Sequence, residues 1–276
     1  MQQDVATEIF KTSDGCPISY RLRPTHNPSL QPLVLIHSLA LDGSVWDGVA
    51  SRLADQARIL TYDCRGHGQS GRGRPAMSFT TELFAQDLAE LLDHVGWQTA
   101  IVIGCSMGGC VAQAFAGLYP ARVSALGLID TTAWYGHDAP RKWRERADNA
   151  RLTGLGGLVE FQVTRWFGDQ FRRSHPELIS ATTRVFLAND LDCYAASCVM
   201  LGDADLRPYL RSLRIPVAIV VGEEDSATPV SAAQQLHEAI QGSTLTILPG
   251  ARHLTPIESP EQIAAQVVAL LRRLGS

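Results

Sequence analysis

The sequence predicts an α/β protein: a mostly parallel central sheet flanked by helices, with a helical insertion laid across one end. Three observations carry this. Short continuous apolar runs recur at 33–37, 59–62, 100–103, 125–129, 217–221 and 245–248, and such runs fit strands buried on both faces. Helical patterns separate most of them, as in a sheet covered on both sides. The alternation then breaks between residues 134 and 205, where helix formers, aromatics and arginines replace any strand pattern.

Taken in order, two short strands open the chain at 7–11 and 17–23, joined by the turn signal Ser13-Asp14-Gly15. The segment TTELFAQDLAELLDHVG carries Leu83, Phe84, Leu88, Leu91 and Leu92 at helical spacing and stops at Gly96. After the run at 100–103, a second helix begins near Val111 and ends at the Tyr119-Pro120 step. The last helix, SPEQIAAQVVALLRRLG, carries Ile263, Val267, Leu270 and Leu271 and places arginines near its C-terminus, where the helix dipole favours them. Residues 1–133 and 206–276 are therefore expected to form one core, and 134–205 a lid across it.

Lys and Arg number 24 against 28 Asp and Glu, a net charge of −4. That balance offers no general attraction to nucleic acid or to anionic membranes. The opening MQQDVATEIFKTSDG has acidic residues and no long apolar stretch, so neither a secretory signal nor a membrane span is expected and a cytoplasmic location is. The cysteines at 16, 64, 105, 110, 193 and 198 form no C-x-x-C pair and no zinc-like spacing. They are expected to be reduced and buried, and no metal or other cofactor is expected.

The chemistry centres on Gly104-Cys105-Ser106-Met107-Gly108, a G-x-S-x-G match between the run at 100–103 and the helix that follows. Glycines at both ends permit a sharp strand-to-helix turn that leaves the serine on a strained corner. A glycine-softened loop with an exposed serine is the plainer alternative. Adjacent residues on a tight turn point in different directions, so Cys105 is expected to be structural. A serine hydroxyl needs a base to take its proton and a third group to orient that base. Asp225 follows the run at 217–221, and His253 follows the run at 245–248, so both fall at the strand ends that carry Ser106. Glu223, Glu224 and Asp130 are rival acids. His26, His94, His137, His175 and His237 fit surface or helix positions, and His67 fits a turn brace. Donors to a developing oxyanion are expected from the backbone N–H groups of Met107, directly after the serine, and of Leu39, in the loop after the run at 33–37.

HSLALDGSVWD, YDCRGHGQSG, GCSMGG, GEEDSATP and ARHLTPIESPEQ together resemble the α/β-hydrolase fold over essentially the whole chain. Within it, HSLALDGSVWD, WFGDQFRRSHPE and YAASCVMLGDADLRPYLRSLRIPV look most like the 3-oxoadipate enol-lactonases. Such enzymes hydrolyse a small enol-lactone carrying a carboxylate, with a triad and no cofactor. The resemblance implies Ser106 as nucleophile, Asp225 as orienting acid, through the G-x-x-D-x-x-x-P spacing from Gly222 to Pro229, and His253 as base. Two departures stand out. Ala40 occupies a position where glycine is expected, and the insertion opens on an unusually aromatic and basic stretch, DTTAWYGHDAPRKWRERADNARLTG. There Trp134 is the expected pocket wall. Among Arg141, Arg144 and Arg146, Arg144 is the expected carboxylate partner, with solvated helix charges as the alternative.

The expected function is a serine hydrolase that opens a small ester or lactone, carboxylated or not, through an acyl-enzyme. A general carboxylesterase or a hydrolase of carbon–carbon bonds in aromatic ring-fission products keeps the same fold. A non-catalytic receptor or scaffold is a different class, against which the intact Ser106, Asp225 and His253 set argues. Self-association into a homo-oligomer is left open.

Overall fold

Eight strands hydrogen-bond into one sheet in a computed structural model that describes residues 5–73 and 78–274. They are β1 (Glu8–Lys11), β2 (Pro17–Leu22), β3 (Pro32–Ile36), β4 (Arg58–Tyr62), β5 (Ala100–Cys105), β6 (Val123–Ile129), β7 (Val217–Gly222) and β8 (Thr244–Leu248). The spatial order is β1-β2-β4-β3-β5-β6-β7-β8. β1, β2 and β4 pair antiparallel, and β4 through β8 pair parallel. Every residue of β5 and of β7 is buried, as their unbroken apolar composition requires of central strands. β5 runs two residues beyond the apolar stretch, because Gly104 and Cys105 still pair with Leu128 and Ile129 of β6.

The helices are α1 (Asp47–Arg52), α2 (Thr81–His94), α3 (Met107–Leu118), α4 (Ala139–Thr153), α5 (Val159–Trp166), α6 (Asp169–Ser174), α7 (Pro176–Leu187), α8 (Leu191–Asp203), α9 (Arg207–Leu210), α10 (Val230–Ala239), α11 (Thr255–Glu258) and α12 (Pro260–Arg272). The Thr80 side chain caps α2 by accepting from the Leu83 amide, and Phe84, Leu88, Leu91 and Leu92 face inward. α12 buries Ile263, Val267 and Leu270 in the same manner. Between β6 and β7 the chain runs through α4 to α9, and an isolated antiparallel bridge between Trp134 and Asp205 joins the two ends of this stretch. Within it, Arg146 of α4 donates through Nε to the Tyr194 hydroxyl of α8 at 2.8 Å. Among the described residues no single helix is long and apolar enough to cross a membrane.

In a parallel sheet all C-terminal strand ends lie on one edge. Leu39 follows β3 there, Ser106 follows β5, Asp130 follows β6, Asp225 follows β7 and His253 follows β8.

Candidate active site

Ser106 links β5 to α3 with φ of +55°, a left-handed conformation rare for a residue with a side chain. The surroundings enforce it. A Cβ on Gly104 would strike the Gly108 backbone, and one on Gly108 would strike the Ile36 carbonyl, so the turn closes only with glycine at both ends. The Ser106 amide donates to the Ile129 carbonyl at 2.9 Å, and the Thr131 hydroxyl donates to the Ser106 carbonyl at 2.7 Å. Cys105 is wholly buried, and burial raises its thiol well above the ordinary range.

Residues far apart in sequence meet at this corner. His253 Nε2 lies 2.9 Å from Ser106 Oγ, and His253 Nδ1 lies 2.8 Å from Asp225 Oδ2. Asp225 Oδ1 accepts from the amides of Ala227 at 2.7 Å and Thr228 at 3.0 Å. Burial works against charge on Asp225, but His253 and these amides hold its carboxyl below the usual range. The rival acids are occupied elsewhere. Glu223 accepts from the Gly250 amide, Glu224 from Arg252, and Asp130 from the Gly222 amide and from both donors of Thr255. Burial and the nearby Asp225 push the Asp130 carboxyl well above its ordinary value.

Leu39 lines the same cavity as Ser106 and His253. Beside it, buried His37 donates from Nδ1 to the Ser38 carbonyl at 2.7 Å and accepts the Cys64 amide at Nε2, 2.8 Å away, which sets its tautomer. A trans peptide points its C=O and N–H in opposite directions, so anchoring the Ser38 carbonyl turns the Leu39 N–H away from the His37 ring. Ala40, next in the chain, has φ of +59°, and its carbonyl accepts from Asn189 Nδ2 at 2.8 Å. Met107 is the first residue of α3, where helix amides lack intrahelical acceptors. Behind the loop, His67 Nδ1 donates to the Arg65 carbonyl at 3.0 Å, bracing the turn as expected.

The space in front of Ser106 is a narrow cavity of about 30 Å³ bounded by Tyr135, Trp143, Arg146, Gln162, Arg165 and Trp166. The expected pocket wall, Trp134, and the expected carboxylate partner, Arg144, are both absent from its lining. Trp134 lines a different cleft with Leu210 and Gln235, where Arg207 stacks on its ring at 3.8 Å. Arg144 is exposed and forks onto both carboxylate oxygens of Asp203, at 2.9 and 2.7 Å. Arg146, two residues on, is the α4 arginine that reaches the cavity. Helical spacing carries that signal: Ala139, Trp143, Ala147 and Ala150 form the inward stripe, and Arg146 falls on it while Arg141 and Arg144 do not. Tyr135, Gln162 and Arg165 carry no such signal, because they reach the cavity from the segment before α4 and from α5, whose placement is set by the tertiary fold.

Together these features define a hydrolase. The profile of the alpha/beta hydrolase fold family matches residues 31–177, and the chain belongs to that family. It is a hydrolase of the ester and lactone class: 3-oxoadipate enol-lactonase 2 of Acinetobacter baylyi is 32% identical over 243 residues, 88% of this chain and 89% of the relative. The enol-lactonase crystal structure from Burkholderia xenovorans LB400 superposes with a TM-score of 0.88 at 30% identity, covering 93% of this chain and 97% of that one. A malate-bound esterase from Thermogutta terrifontis gives 0.87 at 29% identity, covering 99% and 100%.

Proposed function

We propose that Ser106, His253 and Asp225 act as a catalytic triad on a small lactone of the enol-lactone type. The carrying observation is the unbroken hydrogen-bond chain from Ser106 Oγ through the imidazole to Asp225, at 2.9 and 2.8 Å. Ser106 Oγ attacks the ring carbonyl carbon while His253 Nε2 takes its proton. The Leu39 and Met107 amides receive the oxyanion. Collapse breaks the acyl C–O bond, His253 returns the proton to the leaving oxygen, and the opened ring stays attached to Ser106 as an ester. A water then attacks that ester, giving its proton to His253. The second collapse frees Ser106 and a carboxylic acid.

Similarity to two proteins named enol-lactonases supports the lactone, and α4 to α8 serve as the lid that excludes water from the acyl-enzyme.

The test is Ser106→Ala. It should abolish hydrolysis of a chromogenic ester and of the enol-lactone with the fold unchanged, and a phosphonate should add one group to the wild type, on Ser106. Labelling of Cys105 or of another serine would overturn the assignment.

A further inference from the structure

The turn that carries His253 is fastened to α5 on both sides. Helix α5 ends at Trp166, and the last carbonyls of a helix have no acceptor role inside it. The residues flanking His253 take them up. Leu254, directly after it, donates its amide to the Trp166 carbonyl at 3.1 Å. Arg252, directly before it, donates from Nη1 to the Thr164 carbonyl at 2.7 Å and to the Phe167 carbonyl at 3.2 Å. A cation at this end of a helix also meets the negative end of its dipole.

The same guanidinium reaches two further segments. Its Nε donates to Glu224 at 3.2 Å, and Glu224 adjoins Asp225. Its Nη2 lies 3.0 Å from Asp169, at the start of α6. The Arg252 amide donates to Glu258 Oε2 at 2.9 Å, while Glu258 Oε1 accepts from the Gly168 amide at 2.9 Å. A second route thus joins the His253 turn to the α5–α6 junction. One side chain, only 21% exposed, ties together the Asp225 turn, the His253 turn and α5. Helix α5 in turn presents Gln162, Arg165 and Trp166 to the cavity at Ser106. Proton transfer uses none of these contacts, yet it needs His253 Nε2 held within hydrogen-bond reach of Ser106 Oγ.

We infer that Arg252 is a positioning residue: by capping α5 it holds the His253 turn and the lid as one unit and keeps the imidazole aligned on Ser106. The inference rests on the triad reading and adds the residue that ties the base to the lid. The ion pairs with Asp169 and Glu224 involve exposed carboxylates and contribute little. The bonds to the α5 carbonyls carry the effect. Lysine keeps the charge but lacks the planar fork that serves several acceptors at once.

Steady-state kinetics on a chromogenic ester test this. Arg252→Ala should lower kcat roughly 30- to 100-fold with KM within about threefold of the wild type, the scale expected for a base displaced by about 1 Å. Arg252→Lys should lose roughly 3- to 10-fold, and it gives the same readouts if the alanine variant fails to fold. A cleft of about 640 Å³ lined by Asp169, Glu224, Gly250 and Arg252 admits small solutes to the vacated position. Millimolar guanidinium should therefore raise kcat of Arg252→Ala by about fivefold or more and leave the wild type unchanged. Arg141→Gln, at an exposed pair with Glu145 on α4, should alter neither constant. A kcat in Arg252→Ala within about threefold of the wild type overturns the inference, as does a loss confined to KM. So does a loss in kcat that neither lysine nor guanidinium recovers.

Proton NMR reads the imidazole without turnover. In Ser106→Ala the His253 Nδ1–H that faces Asp225 should give a resolved downfield signal. Adding Arg252→Ala should shift or broaden it, with the far-ultraviolet circular dichroism unchanged. That change supports the positioning role even if the wild type hydrolyses no ester, a result that would instead sink the triad reading. A signal that Arg252→Ala does not move overturns the positioning role alone.

Discussion

The Thr228 hydroxyl donates to Asp225 Oδ2 at 2.9 Å, sharing that oxygen with His253 Nδ1 at 2.8 Å. It also lies 3.4 Å from the imidazole nitrogen, so Thr228 and Asp225 together fix the angle at which the ring faces Ser106.

Asp225→Asn keeps the shape but offers the imidazole a neutral partner that no longer favours the productive tautomer. It should cost on the order of 10⁴-fold in kcat. Thr228→Val removes one hydrogen bond and should cost about tenfold in kcat with little change in KM. Residues that act as one unit are not additive, so the double variant should fall no further than Asp225→Asn alone. Steady-state kinetics on one chromogenic ester decides this. Full activity in Asp225→Asn would pass the acid role to Glu223, Glu224 or Asp130, which also follow strands at this sheet edge.

Ala40 tests the backbone strain of the loop after β3. Its φ of +59° carries a strain of about 1–2 kcal/mol that glycine would relieve. Glycine would also lose one wholly buried methyl, worth about 0.8 kcal/mol. The two nearly cancel, so Ala40→Gly should leave unfolding free energy within about 1 kcal/mol of the wild type. Ala40→Val, β-branched and larger, should cost more than about 2 kcal/mol. Urea denaturation of the three proteins reads both. A loss above 2 kcal/mol in Ala40→Gly would show that the backbone there is not strained.

His67 predicts a pH-dependent stability. It is buried, its Nε2 has no hydrogen-bond partner among the described residues, and its ring centre lies 5.2 Å from that of His37. Burial, then the His37 charge, pull it down from 6.5 to about 3, and burial lowers His37 as well. The unfolded chain therefore binds more protons than the folded one at mildly acid pH. The His67 contribution is complete above pH 6.5 and is lost as pH falls from 6.5 toward 3, at about 1.4 kcal/mol per pH unit, and the lowered His37 acts in the same direction. His67→Gln should flatten the dependence by about one proton, measured as unfolding free energy in urea at pH 7 and pH 5. An unchanged slope would mean that His67 takes up a proton in the folded state.

Much of this molecule was readable from local pattern. β5 and β7 are apolar throughout because both their faces are covered, and the glycines at 104 and 108 are demanded by sterics within a few residues of Ser106. Once the parallel sheet is inferred, every strand's C-terminal end falls on one edge. Asp225 and His253 could thus be placed beside Ser106 without knowing any distance. The family resemblance puts glycine at position 40, and the left-handed backbone that Ala40 adopts there gives the physical reason.

The insertion obeyed a different logic. Arg144 and Arg146 are the same residue type two positions apart, about 200° apart around a helix. Composition cannot say which of them meets solvent. Packing of α4 on α8 decided it, sending Arg144 to Asp203 and Arg146 to the Tyr194 hydroxyl. Trp134 was turned toward Arg207 by the bridge to Asp205. Arg165 lines the cavity at Ser106 because α5 sits against the turn after β8, where the Leu254 amide donates to the Trp166 carbonyl and Arg252 to the Thr164 carbonyl. The sequence by itself determined the sheet, the order of its turns and the chemistry on each, since those depend on steric rules acting over a few residues. Which side chains close over the serine was decided by tertiary structure, because a helix face acquires its direction only from what it packs against.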